Sequence, residues 1–135
     1  MKHFSYQRKV TFGHTDPAGI VFYPRYFEMI NETIEEWFAE IGYPFNKLHL
    51  EDRKAVPMVH IETDFSKVGR LGDILDFSLG LVKIGRSSFE LEITASTDGE
   101  PRFKTRCVLA FMNMDSGKAI SIPDDLRVKF NKWLN

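Results

Sequence analysis

Apolar and polar positions alternate from the start of the chain. Phe4, Tyr6, Val10 and Phe12, with Arg8 among them, fall on one side of a period-two pattern and Ser5, Gln7, Lys9 and Thr11 on the other, which predicts a strand ended by Gly13. From Pro24 to Ile41 the period changes. Phe27, Ile30, Ile34, Trp37, Phe38 and Ile41 recur every three or four residues, while Arg25, Glu28, Glu32, Glu35, Glu36 and Glu40 fill the remainder, the pattern of one long amphipathic helix. Pro24 suits the first helical position, where no backbone donor is needed, and Gly42 suits the stop. Tyr43 to Lys54, of mixed charge and with Pro44, reads as a connection.

Beyond it the period returns to two. Val59, Ile61, Thr63 and Phe65 form one predicted apolar face; Leu75, Phe77, Leu79 and Leu81 the next; Phe89, Leu91, Ile93 and Ala95 the third; Phe103, Cys107, Leu109 and Phe111 the last. Asp98-Gly99 is a strong hairpin signal, Gly85 to Ser87 a short turn, and Asp115-Ser116-Gly117 closes the final strand. Pro123, then Asp124 and Asp125, then Leu126, Phe130, Trp133 and Leu134 on one stripe predict a short terminal helix. One helix cannot cover both faces of five strands. The pattern therefore predicts an α+β domain, a five-stranded antiparallel sheet with the helix in its concave face and the other face left to solvent or a partner.

Composition narrows the class. With 135 residues the chain makes one domain, residues 1–135, able to bury roughly two thirds of its unfolded surface. Cys107 is the single cysteine and has no internal disulfide partner. Without a charged and then apolar leader pattern, the expected compartment is the reducing cytoplasm. No apolar run approaches about 18 residues, so no membrane span is expected. Lys plus Arg number 18 against 19 Asp plus Glu; broad electrostatic binding to nucleic acid is not expected, and any anionic ligand must be held locally.

The candidate chemistry lies in Asp16-Pro17-Ala18-Gly19-Ile20-Val21-Phe22-Tyr23-Pro24. Pro17 disfavours helical angles at Asp16, Gly19 permits a tight turn, and the bend aims a carboxylate at the start of the long helix, whose amides and dipole can polarise a carbonyl. An Asp before Pro also serves as a turn or capping residue. His14 stands two residues before Asp16, where it could tune that charge or contact solvent, and His60 lies off the apolar face of its strand. Neither has a second ligand at metal-like spacing, no H-E-x-x-H or cysteine pair occurs, and no metal is expected. Cys107, which alternates with hydrophobes, reads as a buried thiol. The absence of a G-x-x-x-x-G-K-[ST] loop argues against a nucleotide hydrolase.

The run FGHTDPAGIVFYPRY, Phe12 to Tyr26, resembles the active-site segment of the 4-hydroxybenzoyl-CoA thioesterase family of hotdog-fold acyl-CoA thioesterases. The likeness extends over nearly the whole chain: the helix, the segment opening Val56-Pro57-Met58-Val59, the Arg-Ser-Ser-Phe turn and the final strands follow in the family's order. It implies a sheet wrapped around the helix, pairing of subunits into a homodimer or homotetramer, and hydrolysis of an acyl-CoA without a cofactor. Asp16 matches the carboxylate that attacks the thioester or activates water. Tyr23 matches the position whose backbone amide polarises the thioester carbonyl, and Gly19 and Ile20 shape the bend. Arg86, Ser87 and Ser88 match the segment that grips the coenzyme A phosphates. Relatives carry several adjacent basic residues there, whereas Gly85 and Ser87 carry none; Lys67 or Arg70 is placed to compensate. Two alternatives remain: a thioesterase acting on acyl carrier protein, and a non-catalytic acyl-thioester binding module. Aromatic Phe22, Tyr26, Phe27 and Trp37 suit an aryl or a short alkyl acyl group equally.

Overall fold

The computed structural model describes residues 2–135. The long elements are β1 (Phe4–Lys9), α1 (Pro24–Glu40), β3 (Met58–Phe65), β4 (Ile74–Ile84), β5 (Ser88–Thr97), β6 (Glu100–Ala110) and α2 (Asp124–Asn131); β2 (Lys54–Ala55) and β7 (Met112–Asn113) are two residues each. Five strands form one antiparallel sheet in the order β1-β4-β5-β6-β3, as the alternating pattern predicts. Their inward residues bury completely or nearly so, among them Leu75, Phe77, Leu79, Leu81, Phe89, Leu91, Ile93, Phe103 and Cys107. Onto this face α1 lays Tyr26, Met29, Ile30, Ile34, Trp37 and Phe38, with ring contacts from Tyr26 to Phe103 (5.0 Å) and from Phe38 to Phe89 (5.9 Å). Each such apolar side chain contributes about 1.5–3 kcal/mol by leaving water. The outer face carries opposite charges in adjacent rows, with Lys104 near Glu92 and Arg106 near Glu90, both at 3.5 Å.

The helix ends where Gly42 predicts. Gly42 adopts φ +88, and its N–H and that of Tyr43 donate to Ala39 and Phe38 carbonyls at 3.1 and 2.8 Å, a Schellman closure. Asp98 and Gly99 both have positive φ, 51 and 77, as a two-residue hairpin with the sheet's own twist requires. α2 seals the far end, stacking Phe130 on Trp37 at 5.1 Å.

Two expectations need correction, at Phe12 and at the β3 face, and two features go beyond the pattern. The first strand stops at Lys9, and Phe12 is 82% exposed instead of sharing the buried face with Val10. There the chain turns into a 3₁₀ segment, Phe12–His14, because the His14 ring accepts the Thr11 N–H at 2.9 Å. The connection at Tyr43–Lys54 contains a π-helical turn, Lys47–Glu51, that buries Leu48. β2 and β7 pair as a second small sheet, too short to show any period. Finally, the β3 face is aligned with the core side, Phe65 opposite Phe103 and Ile61 opposite Cys107, yet α1 does not cover it: Val59, Ile61 and Phe65 stay exposed.

Candidate active site

The bend around Asp16 is a closed, stapled loop. The Asp16 N–H donates to the Ile20 carbonyl and the Gly19 N–H to the Asp16 carbonyl, both at 3.0 Å. Gly19 takes φ +77, which a side chain would resist. Asp16 Oδ1 accepts the Ala18 N–H at 2.8 Å, an Asx turn; Oδ2 has no hydrogen-bond partner among the described residues. The turn occupies one carboxylate oxygen and leaves the other without a partner.

A second loop holds the first in place. Val21 N–H donates to Gly69 O at 2.9 Å, Leu71 N–H to Gly19 O at 3.1 Å, and Ile20 bridges Arg70. The Gly69 N–H in turn donates to the buried Tyr26 hydroxyl at 2.8 Å. A Cβ on Gly69 would lie 2.8 Å from that hydroxyl and 3.1 Å from Val21 Cγ2, so only glycine allows this approach. Burial raises the Tyr26 pKa, keeping the phenol neutral.

Between the two loops lies a cavity of about 420 Å³. Asp16, Ile20, Phe22, Tyr23 and Tyr26 form one wall and Phe65, Ser66, Lys67 and Val68 the other. Tyr23 is the N-cap residue of α1, without a side-chain cap. Its backbone N–H has no acceptor among the described residues, whereas the neighbouring Phe22 amide is used by His14 O and Arg25 N–H turns to Phe22 O. Pro24 has no N–H to offer. The positive end of a 17-residue helix thus presents an amide without an acceptor among the described residues at a residue that lines the same cavity as Asp16, and such a donor can hold a developing oxyanion. The phenol of Tyr23 is 62% exposed, packing only edge-on against Phe22 at 5.7 Å.

His14 is tied up in the turn. With Nδ1 accepting the Thr11 N–H, the neutral ring carries its proton on Nε2, and burial followed by the nearby Arg8 charge lowers its pKa. His60 is exposed, 3.6 Å from Glu62. Burial pushes the Cys107 thiol up to about 12, so it stays protonated at neutral pH. No three His, Cys, Asp or Glu side chains converge among the described residues in a way that could hold a metal ion.

Arg86, Ser87 and Ser88 stand apart. β4 follows the loop that holds Asp16 and runs 11 residues, about 30 Å of strand, before the Arg86 turn. Arg86 Nε donates to Ser121 Oγ at 3.1 Å, and Arg127 donates to the Gly85 and Arg86 carbonyls at 3.0 and 2.9 Å, which locks the turn against the α2 segment. Lys67, by contrast, lines the cavity and pairs with Glu100 at 2.8 Å; Arg70 sits in the stapling loop. The sequence points to Lys67 only as a phosphate contact and to Phe65 only as an apolar strand residue; it gives no sign of Gly69, Ser66 or Val68 at this site, residues that lie far along the chain from Asp16 and carry no motif.

A family model described as the thioesterase-like superfamily matches residues 10–130. The 1,4-dihydroxy-2-naphthoyl-CoA hydrolase of Synechococcus elongatus is 26% identical over 129 residues, covering 94% of each chain. That of Nostoc punctiforme is 30% identical, covering 91% of this chain and 83% of the relative. Among solved structures, a gentisyl-coenzyme A thioesterase superposes with a TM-score of 0.86 at 27% identity, covering 93% of this chain and 98% of the other.

Proposed function

The chain belongs to the thioesterase-like superfamily as a hotdog-fold thioester hydrolase, and from that premise we propose that it cleaves an aromatic or short-chain acyl-CoA to the free acid and coenzyme A, with Asp16 carrying the reaction. The observation behind this reading is that Asp16 and Tyr23, whose amide has no acceptor among the described residues, line one cavity. The substrate carbonyl oxygen accepts the Tyr23 N–H. Asp16 either takes a proton from water, whose oxygen adds to the carbonyl carbon, or adds directly to give an anhydride that water opens. In both routes the C–S bond breaks and the thiolate leaves. The aromatic walls and the names of the relatives, naphthoyl-CoA and gentisyl-CoA enzymes, support an aryl acyl group.

The proposed active unit is a homodimer or a larger homo-oligomer. β3 is an edge strand with one side unpaired, and every residue of it except Thr63 is exposed. Such an edge invites a second strand, and antiparallel pairing of two β3 strands would cover Val59, Ile61 and Phe65. A partner would also supply the nucleotide contacts that Arg86, set beyond about 30 Å of strand in the 11-residue β4, cannot provide to its own Asp16. The lone buried Cys107 fits a reducing cytoplasm.

Steady-state hydrolysis of benzoyl-, short-chain and long-chain CoA esters, and of matching carrier-protein esters, tests the reading. Asp16→Asn should lower kcat at least about 100-fold, the lower end of a general-base contribution. A variant keeping more than about a tenth of wild-type turnover would remove Asp16 from the mechanism. Sedimentation should show a dimer or more, and a fully active monomer would refute the shared-site reading.

A further inference from the structure

Arg102 is a buried cation that the proposed chemistry does not use. In β5 and β6, Ala95 pairs with Phe103 but Ser96 pairs with Pro101, which leaves Arg102 as the extra residue of a β-bulge. A bulge re-aims a side chain: Arg102 and Phe103 are consecutive, yet both are buried. The side chain is only 9% exposed, and Nε has no partner among the described residues. The guanidinium reaches Glu100 at 2.6 Å and Asp73 at 3.8 Å. Burying such a charge brings no clear gain over a well-packed apolar side chain, so packing alone does not account for it.

Its connections all lead to the cavity. The Arg102 carbonyl accepts two amides, Ser66 at 2.8 Å and Lys67 at 3.3 Å, and both residues line the wall opposite Asp16. Asp73 Oδ2, facing the guanidinium, accepts the Arg70 N–H at 2.9 Å, and Arg70 bridges Ile20. Glu100, its other partner, also holds the cavity residue Lys67. Residue 102 therefore reaches both ends of the 66–73 loop, through its main-chain carbonyl at Ser66 and Lys67 and through its guanidinium at Asp73, and the middle of that loop staples the Asp16 bend.

We propose that Arg102 is a positioning residue: its guanidinium, seated by the β6 bulge between Asp73 and Glu100, fixes the 66–73 loop and through it the Asp16 bend. This rests on the thioesterase reading only for its kinetic consequence. Removing the guanidinium leaves the carboxylates of Asp73, which accepts the Arg70 N–H, and of Glu100, which holds Lys67, without the cation seated between them; the loop they steady loosens, with it the Val21–Gly69 and Leu71–Gly19 hydrogen bonds, and Asp16 loses its fixed place in the cavity.

The test uses the full-length wild type, Arg102→Met and Asp73→Asn, with amide hydrogen exchange followed residue by residue in the absence of substrate. Exchange at Val21, Gly69 and Leu71 should accelerate at least about tenfold in both variants, the lower end of what losing a charged hydrogen-bond partner does to a local opening equilibrium. Protection in β4 and β5 should hold. With a hydrolysed acyl-CoA, kcat should fall about tenfold while KM stays within about twofold, the split expected when geometry rather than binding is lost, and Arg102→Lys should recover part of kcat. Unchanged exchange at those three amides, or acceleration spread evenly through the sheet, would overturn the proposal. Should Arg102→Met not fold, Asp73→Asn decides by the same criteria. Should wild type hydrolyse no thioester, the function proposed above fails while the exchange result still decides the role of Arg102.

Discussion

Tyr26→Phe isolates one atom. The Tyr26 ring is 4% exposed and packs against Phe65 and Phe103 at 5.7 and 5.0 Å, contacts that Phe preserves. What disappears is the acceptor for the Gly69 N–H at 2.8 Å. Gly69 is itself buried, so water does not replace it, and an orphaned buried donor costs about 1–3 kcal/mol. For a domain of this size each kcal/mol moves Tm by about 3–5 °C. The measurement is urea unfolding at fixed protein concentration, because association shifts apparent stability, with a lowered midpoint and an unchanged slope expected. The exposed Tyr23→Phe is the control and should stay within about 0.5 kcal/mol, as surface substitutions do. A Tyr26→Phe change no larger than that control would refute the claim that this hydroxyl anchors the Gly69 loop.

Three further outcomes are expected. Arg86→Ala should raise KM for acyl-CoA by about tenfold or less, because solvent screens an exposed guanidinium, and should leave kcat and hydrolysis of acyl-pantetheine unchanged; equal impairment on both substrates would make Arg86 structural, and equal treatment of both by wild type would favour a carrier-protein substrate. His14 has a lowered folded-state pKa, so the unfolded chain binds the extra proton first, and its contribution, present above the ordinary value of about 6.5, is lost as pH falls below it. His14→Asn, whose amide oxygen can accept the Thr11 N–H, should show a smaller stability loss between pH 7.5 and pH 5 in urea titrations; an identical loss would contradict the turn role. Cys107, with its pKa pushed to about 12, should resist iodoacetamide at pH 8 until the protein unfolds, and labelling at the rate of an exposed thiol would contradict its burial.

Elements with a sustained period were legible in the sequence. Seventeen residues of α1 repeat the three-four spacing enough times to outweigh any single residue, and β4, β5 and β6 alternate over ten or eleven residues each. β2 and β7, at two residues, cannot express a period at all. Phe12 continues the alternation of β1 but sits outside it, because hydrogen bonds among Thr11, Phe12, His14 and Thr15 turn the chain there. The Asp16 bend was legible as local chemistry, Pro17 and Gly19 acting on their own neighbours. Its anchoring was not: Tyr26 and Gly69 are 43 positions apart, and the Arg102 bulge depends on the register of two strands rather than on any residue type.

The unpartnered amide of Tyr23 has a consequence for how this protein can change. A donor that belongs to the main chain is present whichever amino acid is encoded, proline excepted. Alanine scanning is blind to it, and drift at position 23 can reshape the cavity mouth without deleting the donor. What selection can act on is the scaffolding that aims it: Pro24 starting the helix and Gly69 leaving room for Tyr26. In the proposed mechanism, specificity and catalysis at this wall are thus separately inheritable, one written in a side chain and the other in the path of the backbone.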